Sequence, residues 1–156
     1  MPLRPIRQVQ AGDTLLIDAN VLILIFHPTE RFQHGGHFSN ANNSSIVLKC
    51  VYLGHSVLMT GDAEKEAESS MLRYDALLRS SLHKIAHHGS DTAGSIAFRR
   101  RIAADYGIVS VAQYNKFGLP CESLLEDYEE EGTRILKTSH SGAIQFMIYP
   151  EKIIKI

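Results

Sequence analysis

The chain has 156 residues, enough for one domain with a real core. Its 16 basic and 17 acidic side chains give a formal net charge of −1, so no overall field draws it to nucleic acid or anionic lipid, and any such contact has to be local. Two cysteines, Cys50 and Cys121, exclude a disulfide framework or a cysteine-built zinc knuckle, and the longest apolar run, residues 21–26, is far short of the ~20 residues that cross a bilayer. With no membrane segment and no signal-peptide pattern, the chain reads as soluble and, by default, cytoplasmic.

Residues 14–17 and 21–26 predict two short strands around an Asp18-Ala19-Asn20 turn. Residues 27–45, rich in Gly, Asn and Ser, predict a long loop in which His27, His34 and His37 are solvated. Runs 45–53 and 56–60 flank Gly54-His55 and predict a hairpin. Residues 63–79 then predict an amphipathic helix with Asp62 as its N-cap. A strand at 82–86, a helix at 95–104 and a strand at 107–112 follow. Next come a helix at 122–131 stopped by Gly132 and strands at 134–137 and 143–149. This alternation predicts an α/β layer, helices packed on a sheet, in a single domain 1–156.

Polar residues that act in such layers collect at the carboxyl ends of strands. Three loops meet that description: Thr60-Gly61-Asp62, His87-His88-Gly89-Ser90, and residues 113–118. Asp62 reads either as a helix cap or as a carboxylate ligating metal, with oxygen and imidazole donors suiting Zn²⁺ or Mn²⁺. In "KIAHHGSDTAG" the two histidines point to opposite faces if the strand runs through them. One then faces a metal while the other supports it or donates a proton to a leaving group. Ser90 either binds phosphate or caps the next helix. His55, His140 and His83, the last expected to face out of its strand, carry no assigned role. Arg99, Arg100 and Arg101, like Glu126, Asp127 and residues 129–131, read as solvated helix faces.

The ordered motifs go further. "NNSSIVLKCVYLGHSVLMTGDAEKEAESSML", "LHKIAHHGSDTAGSIAF", "YGIVSVAQYNKFGLP" and "EEGTRILKTSHSGAIQF" span most of residues 13–146. Together they resemble the C-terminal half of the metallo-β-lactamase-like domain of the ComEC family, competence proteins for DNA uptake, and its soluble metallohydrolase relatives. The resemblance implies half of an αβ/βα sandwich and a two-metal hydrolytic site for phosphodiesters. Asp62 would match the carboxylate that bridges the metals and either His87 or His88 the last metal ligand. His87, Ser90 and Asn115 would line the reacting centre.

The sequence departs from that pattern in three places. It contains no His-x-His-x-Asp-His motif, so it reads as beginning in the middle of the domain, with the N-terminal metal-motif half absent. Leu119 stands where the family's Asn-x-x-Gly-His-Pro has its histidine, and Ser141-Gly142 replaces its Asp-Gly. The implied reading is a phosphodiesterase or nuclease incomplete as this chain stands, with a missing half to supply ligands; His34 or His37 is a weaker source of one. The alternative is a metal-free, non-catalytic binding or assembly module. Either way the uncovered sheet face predicts self-association or a partner.

Overall fold

The structure, a computed structural model, describes residues 8–33 and 40–156; His34 and His37 lie outside them. Seven strands form one sheet in chain order: β1 (Thr14–Leu16), β2 (Val21–His27), β3 (Val47–Tyr52), β4 (His55–Met59), β5 (Leu82–Lys84), β6 (Tyr106–Val109) and β7 (Arg134–Lys137). Neighbours from β1 to β4 are antiparallel and those from β4 to β7 parallel. The short helices α1 (Glu30–Gln33) and α5 (Thr138–Ser141) flank the sheet, and β8 (Phe146–Tyr149) pairs with β9 (Lys152–Lys155) as a separate hairpin. The expected α/β class holds.

The parallel half needs crossovers, which α2 (Lys65–Met71), α3 (Ile96–Ile102) and α4 (Glu122–Glu130) supply. Right-handed crossovers repeated in one direction put every helix on the same face of the sheet. Accordingly Ala67 and Met71 of α2 and Phe98 and Ile102 of α3 share one buried cluster with Val47 and Leu58. Leu124, Leu125 and Tyr128 of α4 pack with Ile85 and Val109. Each of the larger aliphatic and phenylalanine side chains contributes about 1.5–3 kcal/mol of burial.

Several expectations are corrected. The helix at 63–79 ends at Met71 and gives way to a 3-10 stretch, Leu72–Leu78, broken at Asp75 with φ +42°. Its N-cap is Glu64, not Asp62. The strand at 82–86 stops at Lys84, and Ala86–Gly89 is a 3-10 turn. His27 is buried at the end of β2, its Nε2 2.7 Å from the Asn43 carbonyl. His83 points inward, 1% exposed, against the ring of Tyr128. Arg99 is no solvated residue either: it is 7% exposed and pairs with Asp127 at 3.0 Å and Glu131 at 3.1 Å.

Candidate functional site

Because β4, β5 and β6 are parallel, their carboxyl ends lie on one edge, and the loops after them converge as expected. Thr60 Oγ1 donates to the Lys84 carbonyl at 2.6 Å and His87 N to the Gly61 carbonyl at 3.2 Å, which joins the first two loops. Gly61, at φ +55°, lies against Ser45, where a Cβ would meet the serine Cβ at 3.0 Å. Ser45 Oγ in turn accepts from Asp62 N at 3.1 Å and fixes the aspartate backbone.

The histidine pair sits on a strained turn. His87 (φ +46°) and His88 (φ +56°) are both left-handed, a conformation that costs about 1–2 kcal/mol per non-glycine residue. The chain therefore turns between them, and the opposite-face rule for an extended strand does not apply. Gly89 closes the turn at φ +82°, where a Cβ would come within 2.7 Å of Pro120 Cβ.

Each histidine has its own carboxylate. Nδ1 of His88 donates to the Ser110 carbonyl at 2.6 Å, which leaves Nε2 as the unprotonated nitrogen of the neutral ring. That Nε2 stands 3.7 Å from Asp62 Oδ1, and both side chains are partly exposed. His87 belongs to a different network: its Nδ1 lies 3.1 Å from Glu64 Oε1 and 3.2 Å from Thr92 Oγ1, and its Nε2 3.4 Å from Asn42 Nδ2. Glu64 Oε1 also accepts from Asn40 at 3.0 Å, Asn42 at 3.2 Å and Thr92 at 3.0 Å. Lys84 Nζ donates to the Gly61 carbonyl at 3.2 Å. Burial lowers its pKa, which the nearby Asp62 charge partly restores.

The other expected residues hold the frame. Ser90 Oγ is 3.0 Å from Thr92 Oγ1, so it buttresses the Glu64 network. It does not cap α3: the buried Glu68 carboxylate accepts from Gly94 N and Ser95 N there. Asn115 ties its own loop shut, Nδ2 donating to Leu119 O at 2.7 Å and Oδ1 accepting from Phe117 N and Leu119 N, both at 3.1 Å. Between that loop and His88 opens a cavity of about 350 Å³, lined also by Val111, Leu119 and Thr138.

Glu64, Asn42 and Thr92 were missed in the sequence. A signal was there in Asn40, Asn42 and Asn43, three amides in a stretch read as solvated loop. Asn43 is fully buried, and its Oδ1 accepts from Glu64 N at 3.0 Å at the start of α2.

Among the described residues no group of three or more His, Cys, Asp or Glu side chains is placed to hold a metal ion. Asp62 and His88 are donors of the right kind, but zinc takes about four ligands. They fit a metal in kind and not in number.

No family model matches the chain. It is 33% identical over 108 residues to the uncharacterized protein YcaI of Escherichia coli, which is 69% of this chain and 14% of that protein. It is 33% identical over 106 residues to competence protein ComA of Neisseria gonorrhoeae, 67% of this chain and 15% of that one. Against ComE operon protein 3 of Bacillus subtilis it is 29% identical over 141 residues, 90% and 17% of the two chains. The chain thus spans less than a fifth of the length of the curated relatives it matches. Its homologues include competence proteins of the ComEC family, and it corresponds to one segment of them.

Proposed function

We propose that this chain is a module of a DNA-uptake machinery of the competence-protein kind, and that Asp62 and His88 are part of the divalent-metal set, zinc or manganese, of a phosphodiester hydrolase. The observation that carries this reading is the posture of His88. Its Nδ1–H is held by the Ser110 carbonyl at 2.6 Å and its free Nε2 faces Asp62 Oδ1 at 3.7 Å. Metal-binding histidines are fixed by such an outer hydrogen bond, which sets the tautomer and raises the basicity of the other nitrogen.

In this reading the remaining ligands come from another polypeptide segment. His87, held by Glu64, is the proton carrier beside the pair, while Ser90 and Asn115 keep the loops in place. The test is calorimetric titration of the chain with Zn²⁺ or Mn²⁺. With two ligands on this chain, wild type and His87→Ala are expected to bind metal weakly, and Asp62→Ala and His88→Ala to lose that binding. Wild-type protein that takes up no metal in the titration would overturn the reading.

The alternative of an assembly module has its own observation. Opposite the helices, Ile23, Cys50, Val57 and Leu82 share one row across the sheet, and Leu48, Met59, Ile108 and Leu136 the next. Met59 is 47% exposed, and most of the others are only half-buried. We propose that a second sheet, from a partner segment or another copy, covers this face. Sedimentation equilibrium tests the second copy: a monomer at all concentrations leaves the partner segment.

A further inference from the structure

Tyr114 and Phe117 lie on the loop after β6 with 88% and 71% of their surface exposed. Large aromatic side chains normally bury their area, so two bare rings within one short loop call for an occupant. The loop beneath them is held in shape by the four hydrogen bonds of Asn115, to Ala112, Leu119 (as donor and as acceptor) and Phe117. Its start is pinned as well, Val111 N donating to Thr138 Oγ1 at 2.8 Å. The rings are therefore displayed on a fixed scaffold.

Between them Lys116 places its Nζ 5.1 Å from the centroid of Phe117, a cation lying over one ring. Phe117 also walls the 350 Å³ cavity whose other side is His88.

We infer that Tyr114, Lys116 and Phe117 form a stacking platform for unpaired nucleobases, delivering a single strand to the Asp62–His88 pair. The inference deepens the phosphodiester reading and rests on it for the identity of the ligand. Every base offers a π face to an aromatic ring, so such platforms hold single strands with little sequence preference, and a nearby cation meets the backbone phosphate. The occupant is a single strand and not a duplex. Bases stacked inside a duplex are closed to these rings, whereas the bases of a single strand can lie on them.

The test is fluorescence anisotropy of the full chain with labelled oligothymidylate and with an abasic oligomer of the same length. Wild type is expected to bind the thymidine strand about tenfold or more tightly than the abasic one. Tyr114→Ala and Phe117→Ala should each remove about tenfold of that affinity, and Tyr114→Phe and Phe117→Tyr should keep it. Equal binding of both strands, no binding, or alanine variants that match wild type would overturn the platform. So would alanine variants that change only the oligomeric state in sedimentation, which would make the rings a protein contact. Metal binding by wild type is read separately, by calorimetric titration. Base-selective binding without metal overturns the hydrolytic site and leaves the platform standing; metal without base-selective binding does the reverse.

Discussion

Nδ1 of His87 lies 3.1 Å from Oε1 of Glu64, while Nε2 of the adjacent His88 faces Asp62 Oδ1 at 3.7 Å. Two histidines that are neighbours in the chain thus answer to two carboxylates, and a left-handed turn makes this separation. Glu64 is the better connected of the acids, since Asn40, Asn42, Thr92 and His87 all converge on one oxygen. Glu64→Ala removes the acceptor that these groups share, at a carboxylate that is itself nearly buried. A loss of about 1–3 kcal/mol is expected in urea denaturation. A loss below about 0.5 kcal/mol would mean that water replaces the carboxylate without penalty.

Gly89 is the hinge pin of the same turn. Alanine there meets two obstacles, a φ of +82° and a Cβ contact of 2.7 Å with Pro120. The first strains the backbone and the second pushes the 86–89 turn away from the loop that carries Asn115. Gly89→Ala is expected to lose about 1–3 kcal/mol and to shift the ring resonances of His87 and His88. An unchanged spectrum with unchanged stability would show that the turn relaxes freely.

The arginine run separates a structural cation from surface ones. Arg99 donates to the Gly94 carbonyl at 2.6 Å and pairs with Asp127 and Glu131, and its guanidinium lies 5.4 Å from the Tyr128 ring centroid. Lysine cannot reproduce that fork. Arg99→Lys is expected to lose about 1–3 kcal/mol, below the ~3–5 kcal/mol of a broken buried pair because the charge is kept and Asp127 is half exposed. Arg100 is 69% exposed in its single pair with Glu131, so Arg100→Lys should stay within about 0.5 kcal/mol. Equal effects of the two substitutions would refute the distinction.

These cases mark what could be read from the sequence. The strand–helix alternation and the three converging loops follow from apolar periodicity and turn residues, which are local signals. Asp62 and the histidine pair stood out because polar residues directly after apolar strands are conspicuous. Glu64 did not: it lies in a charged helix start, and its partners Asn40 and Asn42 are more than 20 positions away. Arg99 and its two neighbours have the same composition signal, and only the docking of α4 buries one of them. Likewise His27 reads as the first residue of a loop until β2 extends through it and Asn43 folds over it.

His83 carries the last prediction. Its side chain lies on the helix-facing side of β5, wholly buried, and neither ring nitrogen has a hydrogen-bond partner. Burial, helped by the Lys84 charge, pushes its pKa from 6.5 down to about 3. Between those values the unfolded chain binds a proton that the folded chain refuses. Stability therefore rises with pH in this window: the contribution is fully present above about pH 6.5 and drains away as pH falls toward 3. Each pH unit inside the window is worth about 1.4 kcal/mol for one proton, so about 2 kcal/mol is lost between pH 7 and pH 5. His83→Phe keeps a ring against Tyr128 and removes the titration, and the unpaired ring nitrogens go with it. Urea denaturation of both proteins from pH 7 to pH 4.5 should give a flatter profile for the variant, with a residual slope from His27, whose pKa burial also lowers. Parallel profiles would mean that His83 takes up its proton while folded, through a partner or a water that neutral burial does not provide.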